Sequence, residues 1–142
     1  MNGEQISMPE TLTAHADRIG ALLAENGYDV SEPAPNQWRI REVNSGIVVQ
    51  AVLEGEILFL SLNCTVVTAE SLTPRLMHKM LAGDNGISTS HFQLYELGEG
   101  KVAVTLNNFC KLQNMGPEDE DDVLSCVHFL LADVVEARHL VA

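Results

Sequence analysis

Basic residues are scarce in this chain: Lys and Arg number 8 against 20 Asp and Glu, a formal charge of −12 at pH 7. Such a surface repels the phosphate backbone that dominates nucleic-acid affinity, so nucleic acid and anionic membranes are excluded as expected partners. Cysteine is sparse too. Cys64, Cys110 and Cys126 are odd in number, sit among apolar neighbours and show no CxxC spacing, which fits free thiols in a reducing cytosol and not a disulfide framework. No apolar run reaches the length of a membrane-spanning helix, because Gln50, Glu54-Gly55-Glu56 and Asn63 interrupt the candidates. Met1-Asn2-Gly3-Glu4-Gln5 has no basic region leading into an apolar stretch, so no signal peptide is expected and the chain reads as cytoplasmic.

Catalytic signatures are missing as well. His15, His78, His91, His128 and His139 are scattered, without the HExxH spacing that places two ligands and a base on one helix face. Cys126-Val127-His128 brings two ligand types close in sequence, but residues two apart on a helix point in different directions. The acidic run Glu118-Asp119-Glu120-Asp121-Asp122 lacks the spaced oxygens and central glycine of a calcium loop, and reads as a solvated helix start. Gly83, Gly86, Gly98 and Gly100 form neither a GxGxxG turn nor a P-loop, and no Gly-x-Ser-x-Gly elbow occurs. The expectation is a non-enzyme with no catalytic residue, no metal and no organic cofactor.

What is present is a succession of periodic segments spanning 1–142 as one domain. Ser7-Met8-Pro9-Glu10 has the form of a capping box, and Leu12, Ala16, Ile19, Leu22 and Leu23 follow at helical spacing until Asn26-Gly27. The segment Ser31-Glu32-Pro33-Ala34-Pro35-Asn36 cannot enter a central strand and reads as a stiff loop. From Gln37 to Asn63 the pattern is a three-stranded meander turning at Asn44-Ser45 and Glu54-Gly55. Leu72-Thr73-Pro74 opens a second helix that ends at Gly83. A three-residue loop Gly98-Glu99-Gly100 then aligns Phe92 and Leu94 with Val102, Val104 and Leu106 in a hairpin. Beyond Gly116-Pro117 the acidic run complements a helix dipole, and Val123, Leu124, Val127, Leu130, Leu131, Val134 and Val135 make a stripe wide enough to cover a sheet. The class is α+β, in the order α-βββ-α-ββ-α, with an antiparallel sheet packed against helices.

Register separates two sheet faces. Trp38, Ile40, Ile47, Val49, Ala51, Leu53, Leu58, Leu60 and Leu62 fall on the core side. Arg39, Arg41, Val48, Gln50, Val52, Ile57, Phe59 and Ser61 fall on the other, a mixture too apolar for a wholly solvated surface. Arg39, Arg41, Val48, Val52, Ile57 and Phe59 are therefore the candidate partner-binding residues, able to grip an apolar segment with acidic flanks. On the second helix, Leu76, Met77 and Met80 carry more soft apolar surface than a short solvated helix should, and are the candidate dimer contacts.

With Leu22-Leu23-Ala24-Glu25-Asn26-Gly27-Tyr28 ending the first helix, then three strands, a Pro-started helix, a hairpin and a final amphipathic helix, the chain resembles the Tir-chaperone-like superfamily. That group holds the class I type III secretion chaperones and the YbjN-like domains. The resemblance runs roughly from Pro9 to Val141, in element order, size and acidity. It implies a small acidic homodimer without enzymatic activity, holding an extended segment of a client or effector protein. The YbjN-like alternative is a regulatory or structural module that binds a folded partner. Light scattering across a concentration series should return about twice the 15.5 kDa chain mass, and Met77→Glu should halve it. A wild-type monomer at high micromolar concentration would remove the dimer.

Overall fold

The computed structural model describes the backbone of residues 10–142 and side chains from Ala16 onward. The capping box at Ser7–Glu10, Leu12 and His15 thus lie outside the described side chains. Three helices and six strands follow in the order α1 (Glu10–Glu25), β1 (Asp29–Ala34), β2 (Gln37–Arg41), β3 (Val48–Glu54), β4 (Ile57–Thr68), α2 (Pro74–Leu81), β5 (His91–Gly98), β6 (Lys101–Lys111) and α3 (Pro117–Val141). The strands form one sheet, β1-β2-β3-β4-β6-β5, antiparallel throughout. The class is α+β, as expected, with one strand more than the sequence predicts.

That strand is β1, which replaces the predicted loop over Ser31–Asn36. Pro33 excludes a central position but not an edge, where a missing N–H costs no ladder bond. β1 has one neighbour, β2, and its register slips between Ser31 and Ala34. Ala34 pairs with Gln37 across a two-residue turn in which Pro35 precedes Asn36 at φ 63°. The predicted turn at Glu54-Gly55 also moves by one residue: Glu54 pairs with Ile57 around Gly55-Glu56. Moving both ends together keeps the same side chains on the same face, so the predicted core side holds. The turn centred on Asn44-Ser45 has the predicted register, with Arg41 opposite Val48, although its strands stop earlier and Glu42 N–H donates to Ile47 O at 2.9 Å across a wider loop. The hairpin register is as predicted, Phe92 opposite Leu106 and Leu94 opposite Val104, but the three-residue loop is not: Gly98 pairs with Lys101 around Glu99-Gly100, and a shift between Glu96 and Gly98 restores the register. Gly98, Glu99 and Gly100 all have positive φ, of 89°, 56° and 72°, which two glycines make inexpensive.

Strand β4 runs past the predicted end at Asn63. A bulge there inserts Cys64 between Asn63, opposite Thr105, and Thr65, opposite Val104. Pairing with β3 stops at Ser61 opposite Gln50, so among the described residues the part of β4 beyond Ser61 pairs with β6 on one side and with no strand on the other.

Helices cover one face of the sheet. Val123, Val127, Leu130, Val134 and Ala137 of α3 join Leu58, Leu60, Leu62 and Leu106 in the core, each almost free of solvent. Leu124 and Leu131 flank that stripe, while Val135 points outward at 52% exposure, so the predicted stripe is narrower at its end. Helix α1 adds Ile19, Leu22 and Leu23 and stops at Asn26-Gly27, where Tyr28 N–H reaches back to Leu23 O at 3.2 Å. Gly20 lets the Trp38 indole lie against α1, since a Cβ there would stand 3.3 Å from Nε1. Thr73 caps α2 as predicted, its Oγ1 accepting from Leu76 N–H at 3.1 Å. The other end is closed by Asn85, whose Nδ2 donates to Met80 O at 2.6 Å, and not by Gly83.

Two carboxylates on α3 are buried. Asp119 is 6% exposed and accepts the backbone N–H groups of Gln113, Asn114 and Met115 through Oδ2, so this member of the acidic run is a loop anchor and not solvated. Glu120 beside it accepts Arg18 Nε from α1 at 2.7 Å, a bond that holds its carboxyl below the usual range. Asp133, 3% exposed, accepts Ser88 N–H, Ser88 Oγ and Ser90 Oγ, pinning the α2–β5 connection. Asp133→Ala strands those donors and should cost about 3 kcal/mol by chemical denaturation, against about 1 kcal/mol for Ser90→Ala. A loss under about 0.5 kcal/mol for Asp133→Ala would show that the connection is held elsewhere.

Candidate functional site

The face that no helix covers among the described residues is the candidate site. Alternation along β2, β3 and β4 brings all six predicted partner-binding residues to it: Arg39 and Arg41 exposed, Val48, Val52 and Ile57 half-buried, and Phe59 at 44% exposure. Antiparallel pairing sets Val52 opposite Phe59, and Phe59 opposite Phe109 of β6. The two rings lie 6.3 Å apart between centroids at an interplanar angle of 42°. Val52, Phe59 and Phe109 thus make an apolar bar across three strands, with Phe109 the more open ring at 58% exposure.

Polar groups flank the bar. Asn107 Nδ2 donates to Thr105 Oγ1 at 2.8 Å, Thr105 Oγ1 donates to Gln93 O at 3.0 Å, and Tyr95 Oη donates to Gln93 Oε1 at 2.6 Å. This chain fixes the outer side of β5 and β6 and leaves Tyr95 half-exposed. A concavity of about 450 Å³ lies over the bar, walled by Val52, Phe59, Phe109, Gln93, Tyr95 and His91. A second, of about 690 Å³, adjoins it where β4 outruns β3. The two arginines are not equivalent. Arg41 stands 3.9 Å from Asp29, while no ion pair of Arg39 occurs among the described residues.

Phe109, Tyr95, Gln93, Thr105 and Asn107 are the contributors that the sequence reading missed. The hairpin register already assigns odd-numbered residues of β5 and β6 to the face opposite Phe92 and Leu106. What it leaves open is that β6 pairs with β4, a contact between distant segments that no local pattern encodes.

The candidate dimer residues divide. Met80 is 3% exposed and occupied within its own chain, so it has almost nothing to offer a second copy. Leu76 and Met77 are half-buried, and the apolar residue that α2 leaves most open is Leu81, at 77% exposure.

Among the described residues no group of three or more His, Cys, Asp or Glu is placed to hold a metal, and no helix is long and apolar enough to cross a membrane. Cys64 and Cys110 are buried and Cys126 half-buried, all as free thiols; burial pushes the Cys64 thiol up to about 11, far from reactive thiolate. Compared with protein-family models and with curated proteins, the chain matches none.

Phe59→Ser should leave the fold intact at a cost of about 1–2 kcal/mol, because the ring is only half-buried. A double-mutant cycle with Phe109→Ser should give a coupling below about 1.5 kcal/mol, the size of an isolated aromatic pair. Loss of the native circular dichroism in Phe59→Ser would instead make this face part of the core.

Proposed function

We propose that this chain is a non-catalytic polypeptide-binding protein of the secretion-chaperone kind, which holds an extended segment of a client protein on its uncovered sheet face. The observation that carries the reading is the bar of Val52, Phe59 and Phe109, left open on a face that period-two alternation could equally have made polar. Covering both rings would remove roughly 200 Å² of apolar surface, worth about 5 kcal/mol before ordering costs. That is enough to anchor a segment and too little to hold one alone. Backbone pairing supplies the remainder: among the described residues β5 is an open sheet edge and the far end of β4 is unpaired on its β3 side, so an extended chain can add as a strand. A segment added at an edge turns alternate side chains to the two faces of the sheet, one of them the face that carries the bar.

The element order agrees with the resemblance drawn from sequence once β1 is counted as an added edge, which supports the chaperone reading. A homodimer belongs to the same proposal. Its contacts on α2 would be Leu76, Met77 and Leu81 in place of Met80.

Fluorescence anisotropy with a labelled, permanently unfolded protein, and with the same protein folded, tests the reading. The unfolded form should bind, the folded form should not, and Phe59→Ser should weaken binding by about 2 kcal/mol or more with the dichroism unchanged. Wild-type affinity in Phe59→Ser would place the site elsewhere. Binding of the folded form alone would favour a regulatory module.

A further inference from the structure

Charge is unevenly placed on this acidic chain. Of the 8 Lys and Arg residues, Arg39, Arg41, Lys101 and Lys111 occupy outward positions of the sheet, whereas on β2 to β6 the only outward carboxylate is Glu54. Asp29 on the edge strand β1 is already beside Arg41. An outer face with a local excess of positive charge therefore sits on a molecule whose formal charge is −12.

The excess has a focus. The concavity of about 690 Å³ is lined by Arg39 from β2 and Arg138 from α3, together with polar groups such as Gln50, Ser61, Asn63 and Thr105, and no Asp or Glu lines it. Its shape follows from the strand lengths. Beyond Ser61, β4 continues without β3 beside it, and the bulge at Cys64 turns the backbone. The loop carrying Ser45 and Gly46 forms the opposite wall. Arg138 reaches this place from the other layer, its Nε donating to Cys64 O at 3.1 Å, a carbonyl at the bulge. That bond fixes the guanidinium while both Nη groups make no hydrogen bond among the described residues. Arg39, likewise without an ion pair there, lines the same space.

Resting on the reading of the outer face as a polypeptide-binding surface, we propose that this concavity is an acid-recognising subsite, in which a carboxylate side chain of the bound segment sits between Arg39 and Arg138. Two guanidinium groups offer paired N–H donors to one carboxylate, the geometry in which charge-assisted bonds are strongest. The fixed Arg138 loses little side-chain freedom on binding. The overall negative charge does not prevent this. Beyond about 8 Å it is largely screened at physiological salt, and a single carboxylate feels mainly its immediate neighbours. A nucleic acid would bring many closely spaced phosphates against the acidic remainder of the surface, which is why a peptide carboxylate is the assigned occupant. The adjoining bar of Phe59 and Phe109 requires an apolar side chain on the same ligand. The preferred segment thus carries its apolar and acidic side chains on one side of the extended chain, at positions an even number of residues apart.

Isothermal titration of the full chain tests this with a short synthetic peptide in which Val and Asp take every second position in turn with Ser between them, the same peptide with Asn for Asp, free succinate and oligothymidylate. The Asp peptide should bind about tenfold more tightly than the Asn twin. Arg39→Gln should reduce that ratio to about two- or threefold, and Arg138→Gln should do the same if its melting profile shows a native fold; Arg39, exposed and unpaired, supplies the test should Arg138→Gln unfold. Phe59→Ser should weaken both peptides by one factor and keep their ratio. Equal binding of the two peptides, or a ratio unchanged by Arg39→Gln, overturns the subsite and leaves the polypeptide reading standing. Failure of both peptides to bind removes the two together. Tighter binding of oligothymidylate or succinate than of the Asp peptide overturns the assignment of the ligand.

Discussion

The packing of α3 across β4 and β6 is the contact on which the rest of the structure depends. Val123, Val127, Leu130 and Val134 are fully buried against Leu58, Leu60, Leu62 and Leu106, and each such side chain contributes roughly 1.5–3 kcal/mol by leaving water. No interaction on the opposite face approaches that sum. The core side of β3, β4 and β6 is therefore fixed by what faces α3, and a slip of one residue would exchange Phe59 with Leu60. The three register shifts respect this constraint. Two lie in the edge strands β1 and β5, and the third, at Cys64, sends the strand on with Thr65 and Val67 opposite Val104 and Val102 of the same side.

The same helix collects the connections between elements. Asp119 holds the approach from β6, Glu120 holds Arg18 of α1, Asp133 holds the connection into β5, and Arg138 holds the bulge in β4. Burying a carboxylate is costly unless several donors meet it. Asp119 and Asp133 each receive at least three hydrogen bonds, which tie the loops they bind to the helical layer. A connection tied down on one layer cannot serve as a lid on the other.

Much of this was legible locally. Trp38, Ile40, Val49, Ala51, Leu53, Leu58, Leu60 and Leu62 are read onto the core side because hairpin turns set parity, and parity survives an error of one residue in the turn at Gly55. The Thr73-Pro74 start and the Gly98-Glu99-Gly100 bulge are chemical signals with specific backbone consequences. What was not legible depends on neighbours remote in sequence. Pro33 is compatible with a loop or an edge strand, and only the open side of β2 decides between them. Phe109 completes the aromatic bar because β6 pairs with β4, and Arg138 joins Arg39 because a bulge brings Cys64 O within reach of the last turns of α3. Asp119 looked like one more solvated acid, since nothing in a run of five carboxylates marks the one that will turn inward.

The outer face is harder to account for as a device for stability. An exposed aromatic pair at 6.3 Å contributes about 1 kcal/mol, and polar cross-strand pairs at the same positions could contribute as much without presenting apolar rings to other molecules. Three of the four basic side chains on that face, all but Arg41 beside Asp29, form no ion pair among the described residues, because nearly all the carboxylates lie elsewhere. A sheet surface shaped by folding alone would mix the signs and omit the rings. The apolar bar, an Arg39 without an ion pair among the described residues and a free strand edge are all features whose cost falls when another chain covers them, and that common property is the ground of the proposed binding role.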